Sequence, residues 1–201
     1  MNIEDIKIQH GLPSEHIHRA VEIYYEAFRR KLDPTLGSQE HSLSILTMVF
    51  EDHPDLAIVA LHQAKIVGVT GLQVGGRGFF NFKWSYFTRQ FGWLRAIPKA
   101  VVMYFARRPE RSGQLLMNGI AVDPSMRGKG VGTLLLQAVF EFARANCYST
   151  VRLDVVDTNP EARCLYERMG FLPTKTYNYP FLRNIVGFSA ETTMIKQIAN
   201  S

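Results

Sequence analysis

Two cysteines, Cys147 and Cys164, are all the chain has, so neither a disulfide framework nor a four-cysteine zinc site can be built, and a reducing compartment is the simpler setting. The opening residues Met1-Asn2-Ile3-Glu4-Asp5 lack the basic and then apolar run of a secretory signal, which leaves the cytoplasm as the expected location. No uncharged apolar stretch is long enough to span a bilayer. The six histidines form no HExxH pattern, and His16 and His18, two apart on an expected helix, face different directions, so no metal is expected. What is present is an ordinary globular composition: 46% hydrophobic and 20% charged residues in a chain of 201, enough for a buried core and one domain over 1–201. Twenty-three Lys and Arg against eighteen Asp and Glu leave a surplus of five, which favours anionic ligands but is too little to imply nucleic acid.

The pattern of elements is mixed. Ile3, Ile6 and Ile8 suggest a strand over 3–10, ended by Gly11-Leu12-Pro13 before Ser14, a candidate helix cap. Ile17, Val21, Tyr24 and Phe28 recur at helical spacing, as do Leu43, Leu46 and Phe50. The aliphatic runs 56–61 and 66–74, separated by His62-Gln63-Ala64-Lys65, read as an antiparallel hairpin. Strands are expected at 115–122 and 151–156, and more strand follows Phe171 and ends at 192–198. A helix with apolar members Val131, Leu134, Leu135, Ala138, Val139 and Phe142 follows the first of these, and another, opened by Asn159-Pro160-Glu161, stops at Gly170.

Residues 127–133, Arg-Gly-Lys-Gly-Val-Gly-Thr, lie between a strand and a helix. Backbone amides there can converge on an anion at the positive end of the helix dipole, and three alternate glycines let the chain approach phosphate oxygens closely. Arg127 and Lys129 can add charge-assisted bonds, so a diphosphate is the natural ligand. A Walker loop fails because Gly128-Lys129 is followed by glycine, and a dinucleotide fingerprint fails at Thr133 and Leu135. The plainer alternative is a glycine-rich surface turn.

Ile120-Ala121-Val122, Asp123-Pro124, the run Arg127 to Gly132 and Leu134-Leu135 resemble the central motif of the GCN5-related N-acetyltransferases, which binds the pyrophosphate of coenzyme A. Leu153-Asp154-Val155, Asn159, Ala162, Leu165-Tyr166-Glu167 and Gly170-Phe171 resemble that superfamily's next strand and helix. The resemblance spans 115–172, the expected acetyl-CoA-binding core. It implies an α/β fold of α+β type: a central, mostly antiparallel twisted sheet with a parallel, splayed strand pair, flanked by helices. It also implies acetyl-CoA as cosubstrate and direct transfer to a primary amine of a small molecule or protein. Ile120, Ala121 and Val122 are expected to offer backbone to the cofactor's arm, with the amide of Ile120 or Ala121 polarising the thioester. Arg127, Gly128, Lys129, Gly130, Val131, Gly132 and Thr133 are expected on the diphosphate, with Asn159 and Ala162 along the arm. Tyr166 matches the tyrosine that commonly protonates the leaving thiolate, although its helical stripe with Ala162, Leu165 and Met169 also suits core packing. Asn159 suits helix capping as well. Asp154 matches an acidic position used as base by some members, and Asn118 orienting a water is the competitor. A non-catalytic acyl-CoA-binding or sensing module is the alternative function, needing the loop and not Tyr166.

Residues 77–111 stand apart as an insertion. Eight basic residues face one acid, Glu110, with ten aromatics interleaved. Trp84, Phe87, Phe91 and Leu94 are expected on one helical face, with Pro98 restarting the pattern through Val101, Val102 and Phe105. An extra core layer is the first reading. A lid carrying Arg89, Arg95 and Lys99, a homodimer contact and an interfacial helix on an anionic membrane compete with it; no nucleic-acid partner and no membrane association are expected.

Overall fold

Runs of aliphatic and β-branched residues form the strands, and the helices cover both faces of the sheet they make. The structure is a computed structural model and describes residues 5–79, 82–106, 111–179 and 187–199. In chain order it comprises β1 (Ile6–His10), α1 (Ile17–Leu36), α2 (Gln39–Asp52), β2 (Ala57–His62), β3 (Lys65–Val74), β4 (Arg77–Gly78), α3 (Trp84–Ala106), β5 (Gln114–Val122), α4 (Val131–Ala145), β6 (Thr150–Val156), α5 (Pro160–Arg168), β7 (Leu172–Asn178) and β8 (Ala190–Gln197). The sheet runs β1-β2-β3-β5-β6-β8-β7, with β4 pairing β3, and is antiparallel at every junction except the parallel β5–β6 pair. The mixed, mostly antiparallel sheet expected from the sequence is therefore the one observed.

Strand alternation divides the core in two. Val59, Val69 and Ala121 face α1, α2 and α3 together with Phe50 and Phe79. Ile58, Leu115, Met117, Leu153 and Val155 face α4 and α5, where Leu135, Leu136, Val139 and Phe171 fill the space. The hairpin turns on two residues, Gln63 and Ala64, both with positive φ (50° and 60°), as the right-handed twist of a two-residue connection requires.

Some expectations change. Ile3 lies outside the described residues, and β1 begins at Ile6. Ser14 caps nothing: it starts a 3-10 turn behind Pro13, and its hydroxyl bonds Glu15 instead. Ser38 does cap α2, accepting from the amide of His41. The basic segment does not restart at Pro98. It breaks at Gly92 (φ 73°, ψ 167°), and α3 runs on through Pro98. Before the break Phe87 is buried and Phe91 half-buried while Trp84, the first residue of α3, is exposed; the break shifts the helical phase of Leu94, which is exposed too, and the single apolar face expected of these four does not form. The side chains of Lys99, Val101, Val102 and Phe105, and all of Arg107, Arg108 and Glu110, lie outside the described residues.

A glycine in β5 has both a conformational and a steric reason. Gly119 in β5 adopts φ 79°, and a Cβ there would meet Phe28 Cζ of α1 at 2.9 Å. Gly76 has a similar φ of 78° with open space around it. Gly119→Ala is therefore expected to lose about 1–3 kcal/mol in urea denaturation, clearly more than Gly76→Ala; equal losses would show that the packing of α1 on β5 is slack.

Candidate functional site

The site begins where β5 and β6 part. Their parallel pairing covers Gln114↔Thr150, Leu115↔Val151 and Leu116↔Arg152 and ends there, although β5 continues to Val122 and β6 to Val156. Each strand keeps its outer neighbour, β3 and β8 respectively, so a wedge opens between them. The cause lies in β5. Thr70 pairs with Ile120 and Leu72 with Met117, so three steps of β5 oppose two of β3 and a bulge sits at Asn118–Gly119. Thr70 Oγ1 donates to the Gly119 carbonyl at 2.7 Å, and Tyr24 of α1 donates to the Asn118 carbonyl at 3.5 Å.

The bulge decides which backbone groups face the opening. Asp123 N donates to the Val67 carbonyl, and alternation then turns Ala121 toward β3 and Ile120 and Val122 toward β6. Of the two amides considered for thioester polarisation, that of Ile120 looks into the wedge and that of Ala121 is directed at β3. The Val122 carbonyl accepts from Arg127 Nε at 3.3 Å.

At the mouth of the wedge, Asp123 organises the loop. One of its oxygens accepts from the Ser125 amide at 2.9 Å and hydroxyl at 2.6 Å, and the other pairs with Arg19 of α1, which also holds Glu22 at 2.9 Å. Burial by itself would raise the Asp123 pKa, but the Ser125 donors and Arg19 outweigh it and hold the carboxyl below its ordinary value. Gly130, with φ 83°, is the left-handed N-cap of α4, and Leu134 N donates to its carbonyl at 3.1 Å to close the first turn. The amides of Val131, Gly132 and Thr133 ahead of that bond have no partner within the helix, and no acid occupies the first turn. Arg127, Gly128 and Lys129 are exposed. Gly132 lies against α5, where a Cβ would meet Leu165 Cδ2 at 3.0 Å.

Helix α5 supplies the side chain at the wedge. Asn159 caps it by accepting from the Ala162 amide at 3.1 Å, and its side-chain NH2 stays available as a donor. Tyr166 is buried, edge-to-face on Phe171 with centroids 5.8 Å apart. Burial pushes its phenol well above the usual range. Tyr24 is raised as well, by burial and then by Tyr166, so both phenols stay protonated at neutral pH. Tyr24 had been visible only as a member of an apolar helical stripe; the signal was its hydroxyl, which a buried tyrosine must satisfy.

The opposite wall is polar. Leu153 and Val155 point into the core under α4 and α5, so Arg152 and Asp154 point to the other face. Asp154 accepts from Arg152 Nη2 at 3.2 and 3.3 Å and from the Thr193 hydroxyl of β8. Glu191 is buried nearby on β8, and Arg152 Nε is buried with no partner among the described residues. The fold thus gathers Asn118, Ile120, Tyr166 and the loop at one opening, with Asp154 across the sheet from Tyr166. Cys147 and Cys164 are exposed.

Comparison with known proteins bears on the family and the fold. The profile of the acetyltransferase (GNAT) family matches residues 17–171. N-acetylaspartate synthetase of Xenopus tropicalis is 33% identical over 91 residues, 43% of this chain and 34% of that protein. N-acetyltransferase 8B of Homo sapiens is 36% identical over 64 residues, 32% of this chain and 28% of that protein. The matched stretch thus spans about a third of the length of these curated relatives. Among solved structures, the ribosomal-protein-S18-alanine N-acetyltransferase of Escherichia coli superposes with TM-score 0.58 at 16% identity, covering 98% of this chain and 96% of that one. An acetyltransferase of Salmonella typhimurium, solved with acetyl-CoA, gives 0.60 at 16% identity with the same coverages. At these identities the solved structures share the fold.

The Asp123 contacts carry a pH signature. Because its carboxyl is held below the ordinary 3.8, the stability it contributes is full above that pH and lost as pH falls through the native value. Asp123→Asn should therefore lower stability at pH 7, and the gap to wild type should shrink in urea titrations near pH 3. A gap unchanged by acid would contradict the assignment.

Proposed function

The chain belongs to the acetyltransferase (GNAT) family, and on that premise we propose that it transfers an acetyl group from acetyl-CoA directly to a primary amine. The observation that carries the reading is the wedge between β5 and β6, with a basic loop and a helix N-terminus at its mouth and a buried protonated tyrosine beside it. Residues 115–172 form the acetyl-CoA-binding core of one domain into which 77–111 is inserted.

The amides of Gly128 to Thr133 and the cations Arg127 and Lys129 take the diphosphate, where the α4 dipole favours negative charge. The cofactor's arm lies along β5 as an added strand, paired with the backbone of Ile120 and Val122 and met by Asn159 and Ala162 from α5. The amide of Ile120 donates to the thioester oxygen and stabilises the oxyanion that forms when the amine nitrogen bonds to the carbonyl carbon. As the carbon–sulfur bond breaks, Tyr166 gives its proton to the thiolate. The phenol suits this role because among the described residues nothing accepts from its hydroxyl. We assign the amine's proton to Asp154 on the polar wall, with a water oriented by Asn118 at the bulge as the competing acceptor of that proton. The acceptor approaches from that wall, where the Thr193 hydroxyl and Arg152 hold the Asp154 carboxylate in place.

Two substitutions separate the parts. Tyr166→Phe is expected to lower kcat by roughly 10²-fold or more in an assay of thiol release over an amine panel, with calorimetric affinity for acetyl-CoA unchanged. Arg127→Ala with Lys129→Ala should weaken acetyl-CoA binding instead. Tight acetyl-CoA binding by the wild type without turnover of any amine would overturn catalysis and favour a sensing module.

A further inference from the structure

Helix α3 keeps one side for the core and leaves the other bare. Tyr86, Phe87 and Ala96 are buried against α1 and α2, Phe91 meets His41 edge-to-face at 4.7 Å, Gln90 accepts from Ser44 at 2.8 Å, and Lys83 donates to Asp52 at 2.7 Å. Across the Gly92 break, Trp84 is 42% exposed, Trp93 69%, Leu94 81% and Ile97 46%. Trp84 and Trp93 pack edge-to-face with centroids 6.0 Å apart, so the two helical pieces present one continuous apolar patch. These are the only two tryptophans in the chain. A contiguous patch of this kind signals an interaction surface, whereas scattered exposed apolar residues do not.

The charge around it is one-sided. Residues 77–111 hold eight of the twenty-three basic residues and one of the eighteen acidic ones, a surplus of seven, while the rest of the chain carries fifteen basic against seventeen acidic residues. The whole positive excess of the protein is therefore concentrated in this segment. Arg89 and Arg95, exposed beside the patch, make no ion pair with any described residue. Tryptophan at the headgroup level, leucine and isoleucine beneath it and free arginines alongside are the chemistry of an interfacial helix. No helix among the described residues is long and apolar enough to cross a membrane, so contact is with the surface.

We propose that α3 docks the protein on an anionic lipid surface, with Trp84, Trp93, Leu94 and Ile97 entering the interface and Arg89 and Arg95 meeting the headgroups. A second copy of the chain fits less well, because pairing two such segments face to face opposes like charges. An acidic protein would answer the charge but gives no reason for both tryptophans to stand at the helix break. The extra core layer expected of this segment accounts for Tyr86, Phe87 and Ala96 but uses only one side of α3, and the proposal for the other side departs from the sequence-based expectation of no membrane association.

The test uses the full chain with vesicles of phosphatidylcholine, alone or with about 30% phosphatidylserine, and reads co-sedimentation and tryptophan fluorescence. Because both tryptophans lie in the patch, fluorescence reports its environment directly. Expected are at least about tenfold stronger binding to the anionic vesicles, weakened by about 0.5 M salt, with a blue shift and quenching by brominated lipid. Trp93→Ser with Leu94→Ser, and separately Arg89→Glu with Arg95→Glu, should each cut binding about tenfold while the melting temperature stays put, since all four side chains are exposed. No binding to anionic vesicles, or equal binding to neutral ones, overturns the proposal. So does a concentration-dependent dimer abolished by the tryptophan–leucine variant, which would make a second copy the occupant.

Discussion

Between Thr70 and Leu72 the strand β3 advances two residues while β5 advances three, and this one extra residue organises the site. It parts β5 from β6 after Leu116, turns Ile120 toward the opening and leaves the Asn118 and Gly119 carbonyls to Tyr24 and Thr70. The bulge depends on a glycine that can hold φ 79° and lets Phe28 close against it, so α1 is part of the site although it carries none of the family's motif. Arg19 ties the same helix to Asp123 at the other end of β5. Helix α1 therefore clamps both the bulge and the loop, and the geometry of the wedge is set from outside its own two strands.

The motif residues were legible because each carries a local physical signature. Gly128, Gly130 and Gly132 announce a tight backbone, Asn159-Pro160-Glu161 announces a helix start, and the apolar spacing of α4 follows a 3.6-residue period. The structure places all of these where such signatures point. Tyr24, Arg19 and Thr70 were not legible in the same way. Their roles arise from contacts between residues about 50 to 100 positions apart, namely Thr70 with Gly119, Tyr24 with Asn118 and Arg19 with Asp123. A stripe containing Tyr24 reads as core until the partner of its hydroxyl is seen. The helical face fails at Leu94 for a related reason: periodicity assumes a continuous helix, and Gly92 interrupts it.

The two carboxylates near β5 and β6 show how environment separates similar groups. Asp123 is saturated by serine and arginine donors and holds structure. Asp154 lies on the polar face with Arg152 and Thr193, next to the stretch where β5 and β6 no longer pair. The phenols divide in the same manner. Tyr24 spends its hydroxyl on a backbone carbonyl, whereas that of Tyr166 has no acceptor among the described residues.

The most direct measurement is residue-resolved amide hydrogen exchange with and without acetyl-CoA. Binding in the wedge slows exchange at Ile120 and Val122 in β5 and across Gly128 to Thr133, with Ala121, already directed at β3, little changed. Protection that appears elsewhere, or leaves the Ile120 amide exchanging as before, would contradict the account.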